Sequence, residues 1–148
     1  MARVLFVQNS GINESLALTE VAAVLHRAGH RYRLFLEDEE RDLSGEIAAF
    51  DPNVAILPCH VAGHQEALRF AEHIKGIHPN CVVVLAGTHA TFDPELALRP
   101  EIDGVCVGEA DEALLDLCDR IDAGEDWRES ANLAVEENGG SYQRADWE

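Results

Sequence analysis

The feature that most constrains the fold is the run Cys81–Ala86, an unbroken apolar segment that ends at Gly87. A short apolar run without alternating polar residues is typical of a strand covered on both faces, as in a parallel sheet. Four more segments are predicted as strands: Arg3–Gln8, Tyr32–Leu36, Val54–Leu57 and Gly104–Val107. Because a turn signal and a helical apolar period follow each of them, the chain consists of strand–helix units.

Five such units predict a doubly wound α/β domain with a five-stranded parallel sheet, helices on both faces and right-handed crossovers. The expected strand order is the flavodoxin-like 2-1-3-4-5. We expect helices over about 43–50, 64–77, 94–99 and 111–123, and one before Gly29. The division is 1–124 for the α/β domain and 125–148 for a small C-terminal hairpin, formed by Leu133–Glu137 and Ser141–Arg144, that doubles as a linker toward a catalytic domain.

The net charge of -17 on 148 residues argues against a nucleic-acid partner, because phosphate contacts need clustered Lys and Arg. No apolar run approaches the roughly 20 residues of a membrane span, and the first residues lack the features of a signal peptide. The four cysteines are widely spaced, with no C-x-x-C pair. We therefore expect a cytoplasmic protein that binds neither nucleic acid nor membrane.

The loops at the carboxyl ends of the strands are the expected ligand site of an open α/β sheet. Several common uses of that edge are excluded: no G-x-x-x-x-G-K-[ST] phosphate loop, no G-x-G-x-x-G dinucleotide fingerprint and no G-x-S-x-G elbow are present. The acids and lysine of a phosphoacceptor domain are also missing. The loops are instead rich in glycine and small residues, which favours close backbone approach to a large ligand over acid–base catalysis.

The segment A-G-T-H-A-T-F-x-P-E, followed by D-G-V-C-V-G-E-A-D, resembles the cobalamin-binding domain at the front of many radical SAM enzymes. The segment Leu25–His30 is similar to the end of that family's first helix. The resemblance covers roughly residues 2–140. It implies a corrinoid lying face-on over the strand ends, with its nucleotide tail between the sheet and the helices.

The resemblance also implies the residues of the site and a division of labour. The chain would bind cobalamin and present it to a radical SAM domain, in the same gene or separate, for methyl transfer or related radical chemistry. The iron–sulfur cluster and S-adenosylmethionine would belong to that domain, because the chain has no C-x-x-x-C-x-x-C motif; no residue here is expected to be catalytic. The implied cofactor-binding residues are Asn9, Ser10, Gly11, Cys59, His60, Val61, Ala62, Gly63, Gly87, Thr88, His89, Val107, Gly108 and Glu109.

Two departures from the family refine this expectation. The loop after the first strand is NSGINES, without the D-x-H-x-x-G histidine that ligates cobalt in mutases and methionine synthase, so the resemblance implies base-off cobalamin without that ligand. Ala86 stands where the family has the first glycine of a G-G pair, which narrows the slot for the nucleotide tail by a methyl group.

Three alternatives stay open at the level of sequence. The chain could be a non-catalytic interaction or regulatory module that keeps the fold but binds no corrinoid. His60, His64 and His89 could converge in a metal site, or His60 or His89 could ligate cobalt. Glu109 could hydrogen-bond the ligand, or could only cap the last helix.

Overall fold

The computed structural model describes residues 1–8, 16–38 and 41–144. Within these residues the chain forms one seven-stranded sheet of order β2-β1-β3-β4-β5-β6-β7. The strands are β1 Arg3–Gln8, β2 Arg31–Leu36, β3 Val54–Pro58, β4 Val82–Ala86, β5 Gly104–Cys106, β6 Leu133–Glu137 and β7 Ser141–Arg144. The first five are parallel, in the predicted order.

The described helices follow the strands and cover both faces of the sheet. They are α1 Leu16–Arg27, α2 Leu43–Phe50, α3 His64–Ile77, α4 Thr88–Phe92 and α5 Asp111–Ala123, with 3-10 turns at Pro94–Leu98 and Trp127–Glu129. Strand alternation divides the core. Leu5 and Val7 of β1 pack in the cluster with α2 and α3, whereas Val4 and Phe6 pack in the cluster with α1 and α5. None of the helices in the described ranges has the length and apolar character needed to cross a bilayer.

The C-terminal hairpin corrects the prediction of a five-stranded sheet, because it joins that sheet. Strand β6 pairs antiparallel with β5, with Val105 opposite Ala134 and Cys106 opposite Leu133, and β7 pairs with β6. Strand β5 would otherwise present unpaired backbone groups at a sheet edge, which proteins normally cover. The turn residues of the hairpin predict strands β6 and β7 but not that β6 pairs with β5, because that pairing depends on residues far away in the sequence.

The segment after β4 also differs from the prediction. The sequence predicts a helix here only over about 94–99, but Thr88–Phe92 already form a helical turn, and Pro94–Leu98 form a 3-10 turn. Leu96 and Ala97 are buried in the core cluster under α2 and α3. The chain therefore turns back onto the sheet directly at Gly87.

The opposite, amino-terminal edge of the sheet is held by Lys75, the lysine near the end of α3. Its Nζ lies 2.5 Å from Oδ2 of Asp103 and donates a hydrogen bond to the carbonyl oxygen of Cys81 at 2.7 Å. The same Oδ2 accepts a hydrogen bond from the Val83 amide at 2.8 Å. This cluster joins α3 to the starts of β4 and β5, far from the edge that carries the loops.

We predict that Lys75→Met lowers the free energy of unfolding by about 1–3 kcal/mol, because it leaves a largely buried carboxylate and carbonyl without their cation. Urea denaturation measures this change.

Glu46→Gln is the matched control. Its partner Arg33 lies 3.5 Å away and both side chains are about half exposed. Exposed pairs contribute between 0 and about 1 kcal/mol. Equal losses in the two variants would show that the Lys75 cluster is no stronger than a surface ion pair.

Candidate functional site

The carbonyl of Cys59, at the end of β3, fixes the geometry of the carboxyl edge. Its oxygen accepts hydrogen bonds from the amides of His89 at 3.0 Å and Ala90 at 3.5 Å, while its own amide donates to the Ala86 carbonyl at 2.7 Å. These three bonds join the loop after β3 to the start of α4. The two loops therefore form one continuous surface.

Gly87 is required by this contact. Its φ of +132° is rarely adopted by residues with a side chain, and a Cβ at this position would lie 2.7 Å from the Cys59 oxygen. The position that a Cβ of residue 87 would occupy is therefore taken up by the neighbouring loop. The prediction that Gly87 lets its backbone approach a ligand stays a prediction, but the fold alone already explains why glycine is needed there.

Thr91 connects the Gly87 turn to the Gly108 turn. Its hydroxyl donates to the Gly87 carbonyl at 2.9 Å and accepts a hydrogen bond from the Gly108 amide at 3.1 Å. Gly108 has a φ of +91°, so the turn after β5, like the one after β4, is built on a left-handed glycine. Sequence reasoning missed Thr91, because its role depends on how two distant turns meet.

Apolar side chains are exposed at this edge beside polar ones. Val61, in the loop after β3, is 69% exposed and Phe92, at the end of α4, is 86% exposed. Thr88 precedes Phe92 by one helical turn and therefore lies on the same face of α4. His60 Nδ1 lies 3.4 Å from the Thr88 hydroxyl, which brings the β3 loop next to this face. Phe92 was not among the predicted site residues, although its place in the quoted motif was a signal.

The three histidines proposed as a possible metal site do not form one, although two of their rings are in contact. The rings of His64 and His89 stack at 4.3 Å between centroids, and His64 Nδ1 lies 3.0 Å from the Val61 carbonyl oxygen. Within the described part of the chain, no three histidine, cysteine, aspartate or glutamate side chains form a group that could hold a metal ion. The three-histidine alternative is therefore wrong.

The remaining predicted residues are placed as follows. His60, Ala62, Thr88, Gly108 and Glu109 are exposed at the carboxyl edge, Gly63 is half-buried there, and His89 is half-buried between His64 and Asp93. The side chains of Cys59 and Val107 are buried in the core beneath it. Asn9, Ser10 and Gly11 lie outside the described residues. The structure thus brings the three predicted loops from β3, β4 and β5 together.

Glu109 does not cap the last helix, contrary to one of the two roles considered for it. Helix α5 begins after Ala110, and no side chain makes a capping hydrogen bond there. Instead, the Glu109 carbonyl oxygen lies 3.7 Å from the Cys106 sulfur, and the Glu109 side chain is exposed. No hydrogen bond or ion pair to the Glu109 carboxylate is found among residues 1–8, 16–38 and 41–144.

The cysteine beneath the site is not a nucleophile. Burial raises the pKa of the Cys59 thiol to about 11, and the charge of Asp93 raises it further, against the opposing effect of the hydrogen bond from Ala90. Since the thiolate is the reactive form, Cys59 stays protonated and inert near neutral pH. The edge therefore offers a binding surface with amphipathic side chains and rigid backbone, and no activated nucleophile at Cys59.

A sheet with this topology and a loop-built surface across its carboxyl edge defines an open α/β ligand-binding domain. The B12 binding domain family matches residues 2–118. The chain belongs to this family, whose ligand is cobalamin.

The chain is also similar to a curated relative in sequence and to solved structures in fold. An uncharacterized methyltransferase, PH0819, of Pyrococcus horikoshii is 33% identical over 100 residues, which are 66% of this chain and 22% of the relative. The radical S-adenosylmethionine methyltransferase TsrM from Kitasatospora setae, solved with cobalamin and a [4Fe-4S] cluster, matches 99% of this chain and 29% of its own at 16% identity, with a TM-score of 0.79. OxsB, a cobalamin-dependent S-adenosylmethionine radical enzyme solved with aqua-cobalamin and S-adenosylmethionine, matches 100% of this chain and 22% of its own at 14% identity, with a TM-score of 0.83. The chain thus spans between a fifth and a third of the length of these three proteins.

Gly87→Ala is expected to lower the free energy of unfolding by about 1–3 kcal/mol, because it adds a strained φ and a contact with the Cys59 carbonyl. Chemical denaturation of the purified chain gives the value. Gly76→Ala in α3 is the matched control, since a Cβ there meets nothing within 4 Å. This control is expected to stabilise by about 0.4–1 kcal/mol. A neutral Gly87→Ala would contradict the close contact described for this loop.

The buried thiols predict that stability falls as the pH rises above 9. Burial raises the pKa of Cys118 from its ordinary value of 9.0 to about 12. Between these values the unfolded chain loses a proton that the folded chain keeps, so the free energy of unfolding decreases with pH. The contribution of the Cys118 thiol to the free energy of unfolding is complete below pH 9 and declines by roughly 1 kcal/mol per pH unit above it. Urea denaturation at pH 8 and pH 10 measures this slope.

Cys118→Ala should make that decline shallower, because one of the four buried thiols is removed. If the decline is equally steep in Cys118→Ala, or if the free energy of unfolding of the wild type rises above pH 9, the buried thiols are not the origin of the effect.

Proposed function

We propose that this chain binds cobalamin base-off across the carboxyl edge of its sheet and presents it to a radical SAM catalytic domain. The observation that carries the proposal is the continuous surface formed by the loops after β3, β4 and β5. Three backbone hydrogen bonds at Cys59 and the hydroxyl of Thr91 hold these loops together. The family assignment supplies the ligand that such a surface would take.

The side chains at this edge fit a corrinoid. A corrin ring is a broad apolar disc with amides at its rim, and it needs apolar contacts under the ring and hydrogen-bonding groups around it. Val61 and Phe92 leave apolar surface exposed at this edge, which a corrin ring would cover. His60, Thr88 and Glu109 supply polar groups beside them.

In this proposal Val61 and Phe92 contact the ring, while Thr88 and Glu109 hydrogen-bond its amides. Gly63, Gly87 and Gly108 shape the backbone beneath, and Ala62 and His89 complete the wall. Bound cobalamin would supply the methyl-transfer or radical chemistry, and the residues of the chain would orient it and exclude water from the contact. Cys59 and Val107 act from the core by holding the loops in position.

The proposal of base-off binding rests on the loop after β1, which has no histidine in its sequence NSGINES. Of the two histidines considered as cobalt ligands, His60 is exposed, whereas His89 stacks on His64 and has its Nε2 3.8 Å from Asp93. His60 is therefore the better placed of the two to face a bound corrinoid.

The catalytic part is proposed to lie outside this sequence. The chain contains no C-x-x-x-C-x-x-C motif, and its four cysteines are free and buried. A radical SAM domain would hold the iron–sulfur cluster and S-adenosylmethionine, with residues 125–148 leading toward it. We place the protein in the cytoplasm, where free thiols persist.

The direct test is retention of hydroxocobalamin. The purified chain, mixed with a slight excess of the corrinoid, is expected to elute from gel filtration with about one cobalt per chain. After reduction to the cob(II)alamin state, electron paramagnetic resonance should show no nitrogen ligand from the dimethylbenzimidazole base. A folded chain that elutes colourless would overturn cobalamin binding, and a base-on spectrum would overturn base-off binding alone.

The second candidate is an interaction or regulatory module that keeps the fold but binds no corrinoid, and Ala86 favours it. Its methyl group is buried in the cluster with Ala113 and Leu114 of α5. This is the space between sheet and helices in which the resemblance places the nucleotide tail. A methyl group there would obstruct the tail but not the ring.

Cobinamide, which has the corrin ring without the nucleotide tail, separates the two candidates. If Ala86 obstructs the tail, Ala86→Gly should lower the Kd for hydroxocobalamin severalfold and leave the Kd for cobinamide unchanged. Isothermal titration calorimetry measures both. If neither ligand binds the wild type or Ala86→Gly, the interaction module becomes the better account.

A further inference from the structure

The turns after β4 and β5 are joined much less firmly than the turns after β3 and β4. The parallel ladder between β4 and β5 consists of the pairs Val84–Gly104 and Leu85–Val105. It therefore ends before either glycine turn begins. By contrast, the ladder between β3 and β4 continues to Pro58 and Ala86, and the Cys59 amide and carbonyl extend it into α4.

Thr91 closes this gap. Within residues 1–8, 16–38 and 41–144, the Thr91 hydroxyl provides the single hydrogen bond found between residues 87–93 and residues 107–110. The hydroxyl takes part in both turns, since its one proton goes to the Gly87 carbonyl and one of its two lone pairs accepts the Gly108 amide. The Gly87 carbonyl also accepts the Thr91 amide at 3.0 Å, which fixes the position of Thr91 within the turn.

We propose that Thr91 is a positioning residue for the candidate site: its hydroxyl sets the separation of the Gly87 and Gly108 turns and thereby the affinity for cobalamin. Gly87 and Gly108 both have positive φ values and no side chain, so these two residues cannot fix the turns by side-chain packing. The ligand is not expected to contact Thr91, whose one proton is already donated to the Gly87 carbonyl. This inference rests on the proposed function, because it concerns the affinity of that same site.

The test compares Thr91→Val with Thr91→Ser in the full chain. Valine keeps the shape of threonine but loses both hydrogen bonds, whereas serine keeps the hydroxyl. Thr91→Val is expected to raise the Kd for hydroxocobalamin about tenfold, and Thr91→Ser to stay within about threefold of the wild type. Amide hydrogen exchange followed by NMR should be faster at Gly108 in Thr91→Val and unchanged in Thr91→Ser.

Lys75→Met is the control for general destabilisation, because it weakens the opposite edge of the sheet. It is expected to lower stability while leaving the Kd and the exchange of the Gly108 amide unchanged. If Thr91→Val does not fold, Thr91→Cys replaces it with the same expectations, since a thiol is a weak donor and acceptor.

Three results would overturn the inference: an unchanged Kd in Thr91→Val, whether or not exchange at Gly108 becomes faster, an equal loss of affinity in Thr91→Ser, or an equal loss in Lys75→Met. A wild-type chain that retains no corrinoid is a different failure. It overturns the proposed function, and the positioning role falls with it.

Discussion

The site depends on one backbone group, the carbonyl of Cys59. Because this oxygen accepts the amides of His89 and Ala90, helix α4 begins immediately after β4 and lies against the loop after β3. Gly87 is the residue that permits so close an approach. The exposed side chains of Val61 and Phe92, the stacked rings of His64 and His89, and the Thr91 hydroxyl all take their positions from this arrangement.

Rigidity at this edge has a functional meaning. A cofactor that carries its own chemistry needs from the protein an oriented, partly dry surface rather than acids and bases. Buried backbone hydrogen bonds and left-handed glycines provide such a surface, and the raised pKa of Cys59 keeps the nearest thiol unreactive. The turns after β4 and β5 are the least firmly connected, because the backbone ladder between these strands ends before the turns and the Thr91 side chain alone provides the hydrogen bond found between them in the described residues.

Much of the fold could be predicted from sequence because its signals are local. The five parallel strands, their order, the helices of residues 64–77 and 111–123 and the C-terminal hairpin all follow from apolar periodicity and turn residues. The pairing of β6 with β5 and the roles of Thr91 and Phe92 could not be predicted, because they depend on which distant segments meet. The helix start at Asp111 was predicted, but the capping role considered for Glu109 was wrong, because the residue before the helix is Ala110 and no side chain caps it.

The central claim is that one ligand is bound by the loops after β3, β4 and β5. Titration of the 15N-labelled chain with hydroxocobalamin tests it most directly, because each backbone amide reports its own surroundings. Chemical shifts are expected to change for the amides of residues 60–63, 87–92 and 107–110, while those of residues 51–53 and 78–82 at the opposite edge stay unchanged. Saturable binding with shifts confined to that opposite edge, or spread evenly over the surface, would contradict it.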